Sequence, residues 1–367
     1  MNQKELIYWL SNIKEIGAIK VRKLMDHFKE PPDLFSLEPE VIKESQILSN
    51  REIKSLLAAR EASFLKNLEA QRKQMEEKKI SFITEWEEDY PDRLRPFPDR
   101  PAYLYVLGRL PGNKEPTLGM VGARACTYYG NDIAKRFGRE FGASGISVVS
   151  GLARGIDSCS QRGCLEGGGK TYAVLGSGLL RIYPEEHEGL AHKIVQAGGG
   201  LISEFPIHTP PLPSNFPMRN RIIAGLSDKL LVVEAKYRSG SLITVSMALD
   251  QGKDVFAIPG RIDDPLSQGT NHIIQNGASL VTHPQDICKE FRIQYPKSES
   301  SDTKIKVHLE KELDVVYSVI CLFPKNIHVI IEETGMSPEK VLSCLMQLEL
   351  LNLVKEPLKN YYARRRE

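Results

Sequence analysis

The 367-residue chain has no long apolar run. Nothing in it approaches the ~20 consecutive apolar residues of a transmembrane helix, so no membrane-spanning segment is expected. The opening MNQKELIYWLSNIKEIG carries charge at both ends of a short apolar stretch, which does not fit a secretory signal. Cysteine is sparse: Cys126, Cys159, Cys164, Cys288, Cys321 and Cys344 are scattered, without a Cys-x-x-Cys pair or a histidine at zinc spacing. They read as reduced, buried thiols of a cytoplasmic protein, not as a disulfide framework or a metal centre. An excess of one charge is lacking too. With 49 Lys and Arg against 47 Asp and Glu, the net charge is +2, so any nucleic-acid contact has to be a local basic patch. A hydrophobic fraction of 41% with 26% charged residues excludes a disordered or fibrous chain. The length suggests two to three domains.

Familiar catalytic signatures are missing as well. Gly167-Gly168-Gly169-Lys170-Thr171 resembles the end of a Walker A loop, but that motif's first glycine would fall on Cys164, and the segment leads into a strand instead of opening a helix. VGARACTYYG lacks the GxGxxG spacing of a dinucleotide site. Neither Ser150-Gly151 nor Ser239-Gly240-Ser241 lies in a GxSxG elbow. His187, His192, His208 and His272 share no helical face with carboxylates at metal spacing. No metal or cofactor is expected from these motifs.

Apolar residues at helical spacing (Leu6, Ile7, Leu10, Ile13, then Val21, Leu24, Met25, Phe28) predict a helical region over residues 1–80, with a tight turn at Ile16-Gly17-Ala18. A proline-rich seam, Phe97 to Pro116, carries the strand-like AYLYVLG. From Thr117 onward, short Val/Ile/Leu-rich runs alternate with helical stretches: LGMVG, ISVVSG, TYAVLG, GLISE, KLLVVEA, DVFAIPG and ASLVTH. That alternation predicts a doubly wound, mostly parallel α/β sheet buried on both faces. Polar residues 294–306 read as a linker. Beyond it, three helices (Asp314–Leu322, His328–Glu333 and Pro338–Glu349, the last capped by Ser337) and two short strands outline a winged helix-turn-helix over 307–367.

Ligands of open parallel sheets bind beyond the carboxyl ends of the strands. Those ends carry Gly122 and Arg124; Gly151 and Arg154; Phe216, Arg219, Asn220 and Arg221; and Lys236, Arg238, Ser239, Gly240 and Ser241. Arginine forks match phosphate oxygens, small residues let the backbone come close, and aromatic rings stack unpaired bases. This set is the candidate DNA-binding site, suited to a single-stranded polyanion.

The motifs VGARACTYYG, VVSGLARGID, AVLGSGLLRIYPEEH, ISEFP, FPMRNRIIAGLSD, VVEAKYRSGSLITVSMALDQGKDVFAIPG and GTNHIIQNGA occur in that order over about Thr117–Val281. Together they resemble the DNA-processing protein A (DprA/Smf) family. The resemblance implies an extended Rossmann-like DNA-binding domain over 81–293, flanked by an N-terminal helical domain similar to a sterile alpha motif (1–80) and a C-terminal winged-helix domain. It implies not an enzyme but a protein that binds and protects incoming single-stranded DNA in natural transformation and loads the recombinase RecA onto it, acting as a homodimer paired through the Rossmann-like domain. The family's phosphate-binding arginine falls on Arg124, its base-stacking ring on Phe216 and its SGS turn on Ser239–Ser241. Departures are Ala123 in place of a hydroxyl residue, Arg238 in place of lysine, and Pro213 where some members carry a DNA-contacting lysine. Two other readings stay open: a Rossmann-like nucleotide hydrolase using Glu234, and a duplex-DNA regulator acting through the winged helix, whose recognition helix has one basic residue, Lys340.

Overall fold

The computed structural model describes residues 1–28, 34–295 and 309–365. They form two compact units, one of Met1–Cys126 and Gly130–Tyr295, the other of Thr127–Tyr129 and residues 309–365. The expected linker at 294–306 lies almost wholly outside the described residues.

The first unit opens with helices α1 (Gln3–Ser11), α2 (Ala18–His27), α3 (Pro39–Glu44), α4 (Asn50–Ala58) and α5 (Ala62–Glu77). Local chemistry sets their starts. Asn2 and Glu5 exchange hydrogen bonds in a capping box before α1, Ser49 and Glu52 do so before α4, and Gly17 occupies the position that opens α2. Trp9 is fully buried and its indole N–H donates to the Ala59 carbonyl at 2.9 Å. A ring of that size removes 150–250 Å² from water, a gross gain of about 4–6 kcal/mol at ~25 cal/mol per Å².

Strands β1 (Ile80–Thr84) and β2 (Tyr103–Gly108) follow. The alternating part then runs β3 (Thr117–Val121), α6 (Tyr128–Ala143), β4 (Ser147–Ser150), α7 (Ile156–Glu166), β5 (Thr171–Leu175), α8 (Glu188–Gln196), β6 (Gly200–Ser203), α9 (Asn215–Leu226), β7 (Lys229–Val232), α10 (Gly240–Asp250), β8 (Asp254–Ala257), α11 (Gln268–Gln275), β9 (Ser279–Leu280) and α12 (Pro284–Glu290). Among the described residues these make one nine-stranded sheet in the order β1-β2-β6-β5-β4-β3-β7-β8-β9. The seven strands from β6 to β9 are parallel; β2 and β1 join antiparallel at one edge. The chain winds outward from β3 through β6 on one side, then returns to β7 on the other. The switch point therefore lies between β3 and β7.

Apolar layers cover the sheet on both faces, as the uninterrupted Val/Ile/Leu runs require. One core holds Ile222, Ile223, Leu226, Leu230, Val232, Val245 and Ala248. The other joins Leu6, Leu10, Val21, Leu24, Phe82, Tyr105, Ala173, Ile194 and Leu201. The N-terminal helices thus share a core with the sheet, where the sequence suggested a domain of their own. Polar ties reinforce the join: Ser11 Oγ and Tyr105 Oη lie 2.9 Å apart, and the buried Arg22 Nε donates to Glu85 Oε1 at 2.7 Å.

The second unit contains α13 (Lys311–Val319), β10 (Lys325–Asn326), α14 (Ile327–Thr334), α15 (Pro338–Leu350), β11 (Val354–Leu358) and β12 (Tyr361–Arg364) around Leu313, Val316, Ile330, Val341, Leu345 and Val354. Its three strands pair antiparallel as β10-β12-β11. Ser337 stands at the N-cap of α15 with extended backbone, but its side chain makes no capping bond. Arg364 donates from Nη2 to the Tyr317 carbonyl at 2.7 Å and stacks over that ring, and Arg365 donates to Asn352 Oδ1 at 2.9 Å.

Candidate nucleic-acid interface

Loops leaving β3 and β7 open over the switch point and, with the starts of α7, α9 and α10, enclose a cleft of about 550 Å³. Gly122, Arg124, Phe216, Arg219, Asn220, Ser239, Gly240 and Ser241 all line it. A smaller recess of about 70 Å³, lined by Gly151, Arg154 and Tyr183 as well as Arg124 and Phe216, adjoins it. Segments over a hundred residues apart thus meet at one lip of the sheet, as strand-end logic demands.

The lip is built around a cation and two rings. Arg124 is exposed, its guanidinium 4.9 Å from the centroid of the half-buried Phe216 ring. Among the described residues it has no carboxylate partner. Tyr183, 39% exposed, tilts against Phe216 with centroids 5.8 Å apart. The two rings and the guanidinium plane form a platform with apolar faces for stacking and N–H edges for phosphate. The same cleft holds the start of α10. Its first N–H groups have no intrahelical acceptor, and Ser239 at its N-cap makes no capping bond, leaving a buried hydroxyl without a partner. A free hydroxyl at a helix N-terminus favours an anion.

The floor is different. Arg219 is 4% exposed. Its Nη1 donates to the carbonyl oxygens of Gly151, at 2.7 Å, and Val174, and its Nε to Asn220 Oδ1 at 3.2 Å. Burial pulls its pKa down to about 10 despite the neighbouring Asp157, with Arg124 adding repulsion. Asp157 is itself buried and held by the Gly151 N–H at 3.1 Å; burial raises its pKa against the opposing pull of Arg219. Glycine is required around this brace: a Cβ on Gly151 would sit 2.5 Å from the Arg219 guanidinium nitrogens. Gly155, at φ +74°, brings the start of α7 so close that a Cβ would meet the Ala123 carbonyl at 2.2 Å. Asn220 links the two helices, donating to the Gly240 carbonyl at 3.4 Å.

Other members of the sequence-derived set are turned away, paired or outside the cleft walls. Arg221 is buried and bonds Glu204 at 2.5 Å, because the helical turn of α9 directs it away from the cleft and into the protein. Arg154 is exposed but doubly bonded to Glu186, at 2.5 and 3.0 Å. Lys236 and Arg238 are exposed on the loop before α10 and outside the cleft walls; among the described residues neither forms an ion pair. Glu234, the carboxylate that a hydrolase would need, is 2% exposed, packs against Gly130 of α6 and does not line the cleft. Tyr183 and Asp157 line the cleft without having been singled out. Tyr183 stands in RIYPEEH beyond the end of β5, so an aromatic at one more strand end was the available signal.

Residues 81–292 match the family model for DNA recombination-mediator protein A. The protein Smf of Escherichia coli is 45% identical over 205 residues, a stretch covering 56% of this chain and 55% of that relative, so the match spans about half of its length. The X-ray structure of DNA processing protein A from Streptococcus pneumoniae aligns with a TM-score of 0.59 at 31% identity, covering 79% of this chain and 98% of that one. A second structure, of DNA processing protein A from Helicobacter pylori, concerns its single-stranded DNA binding mode; it aligns with a TM-score of 0.51 at 26% identity over 58% of this chain and 95% of the other. With the family model matched across more than half of its residues, this chain belongs to the DNA recombination-mediator protein A (DprA/Smf) family.

Proposed function

We propose that this protein binds single-stranded DNA along the lip between β3 and β7 and acts as a non-enzymatic mediator that protects the strand and loads RecA recombinase onto it in transformation or recombination. The observation that carries the reading is Arg124 stacked on Phe216 and unpaired by any carboxylate among the described residues, in the same cleft as the uncapped start of α10. Phosphate would take the guanidinium fork and the amides of α10; bases would lie against Phe216 and Tyr183. The single-stranded DNA binding mode of the Helicobacter pylori relative supports this choice of polymer. A homodimer paired through the Rossmann-like domain and a cytoplasmic location belong to the same proposal. Duplex recognition through the second unit is less favoured: Lys340, the one basic residue of α15, is bonded to Glu312 at 2.7 Å, which suits a major-groove reader poorly.

The test is a titration of the full chain against a labelled thymidine oligonucleotide and a duplex of equal length, followed by RecA filament assembly on protein-coated single strands. The reading requires preference for the single strand, steep weakening with salt and faster filament formation. Equal affinity for the duplex, or no effect on filament assembly, refutes its corresponding half. Turnover of any nucleotide in a panel followed by chromatography overturns the non-enzymatic part.

A further inference from the structure

The opposite edge of the sheet carries a separate site. β1 is an outer strand: one side pairs with β2. Its sequence, ISFIT, has neither charge nor proline, the devices that keep an edge from recruiting another strand. Alternation shows which backbone groups face outward. The Glu85 N–H crosses to the Ala102 carbonyl at 3.0 Å, toward β2. Thr84 turns the other way: its N–H donates to Glu87 Oε2 at 2.7 Å and its carbonyl accepts from the Glu87 N–H at 3.1 Å. Successive residues of an antiparallel strand alternate between partner and outside. The N–H and carbonyl of Phe82 therefore share the outward side of Thr84, and among the described residues nothing pairs with them.

Beside this edge lies a cavity of about 360 Å³, walled by β1 from Ile80 to Ile83, by Tyr8 of α1 and by Met75 of α5. The Tyr8 hydroxyl is buried without a hydrogen-bond partner, and burial pushes its pKa up to about 12. Glu5, Glu76, Glu87 and Asp89 surround the opening with two cations, Lys4 and Arg72. Those cations are already engaged: Lys4 with Glu87 at 2.6 Å, and Arg72 with Glu5 at 3.5 Å and Glu76 at 3.7 Å. Four carboxylates against two cations leave a negative rim around an apolar hole and an unpaired strand edge.

We propose that this edge receives an extended, basic peptide by strand addition, with an apolar side chain in the cavity beside Met75 and Tyr8 and flanking Lys or Arg side chains against Glu76 and Asp89. The main-chain bonds of Phe82 supply register, and the acidic rim selects charge. The site is independent of the DNA reading.

The probe is fluorescein-labelled Lys-Val-Phe-Val-Lys, titrated into the full chain by anisotropy, with amide hydrogen exchange at Phe82 as the second readout. Saturable binding is expected, with slowed exchange at Phe82. The exposed double substitution Glu76→Lys and Asp89→Lys should weaken it about fivefold or more, with thermal unfolding unchanged as the control for folding. N-methylation of both valine amides should weaken it about tenfold. No saturation by ~1 mM peptide, equal binding of the N-methylated peptide, or unchanged exchange at Phe82 overturns the proposal.

Discussion

Arg124 and Arg219 line one cleft, yet they stand in opposite physical situations. On the lip, Arg124 is exposed, stacked on a ring and in no ion pair among the described residues. On the floor, Arg219 is enclosed and gives its donors to the carbonyls of two strand ends. The first keeps its charge available to a ligand; the second spends its hydrogen bonds holding the β4 and β5 ends where the lip needs them. A cationic site of this kind needs both, since an unsupported lip could not hold its geometry and a fully braced one would have no donors left.

The largest effect that sharpens this contrast is expected two residues further along α9, where Arg221 is locked to Glu204. Glu204→Leu strands a buried guanidinium and should cost about 3–5 kcal/mol in urea unfolding, and adding Arg221→Met should recover most of it. Next comes the floor. Arg219→Ala leaves two buried carbonyls short of a donor and should lose about 2–4 kcal/mol. Wild-type stability combined with lost DNA binding would move Arg219 from brace to ligand contact.

On the lip the pattern inverts. Arg124→Ala should change stability by less than about 0.5 kcal/mol while lowering single-strand affinity about tenfold, equivalent to about 1.4 kcal/mol. It should also lower the slope of log affinity against log salt by roughly 0.7, one phosphate's share on a single strand. An unchanged affinity would break the comparison at its centre. Arg154 is intermediate, so Arg154→Ala should matter less than Arg124→Ala, and Glu186→Ala, which frees it, should raise affinity.

The smallest effect is in pH. Because burial raises the Asp157 pKa, the folded state holds that proton above the range where the unfolded chain releases it. Stability contributed by this group is thus lost as pH rises past the ordinary carboxylate range. Asp157→Asn should flatten that part of the profile in unfolding titrations. A steeper profile in the variant would reverse the assignment.

Much of this could be read from the chain before folding. Each short Val/Ile/Leu run from Thr117 onward became a strand, and strand-end logic brought Gly122, Arg124, Phe216 and the Ser239–Ser241 turn to one cleft. Ile80–Thr84 was less legible: five residues directly after a charged helix carry too little periodicity to separate from it. Tyr183 carries little signal in the sequence, because one aromatic among charged residues is ordinary in a surface loop. Arg221 is indistinguishable from Arg219 in the sequence, because FPMRNR reads as uniformly cationic until the helix turns each side chain a different way.

By itself, the order of apolar runs and glycine-rich turns determined the layering, the location of the ligand rim and the family. Those are consequences of burial pattern and backbone reach, which are written locally. Which guanidinium stays in water and which is withdrawn was decided only by tertiary structure. Desolvation and pairing depend on what distant segments bring within a few ångströms, and Gly151, Val174 and Glu204 are remote from the arginines they engage.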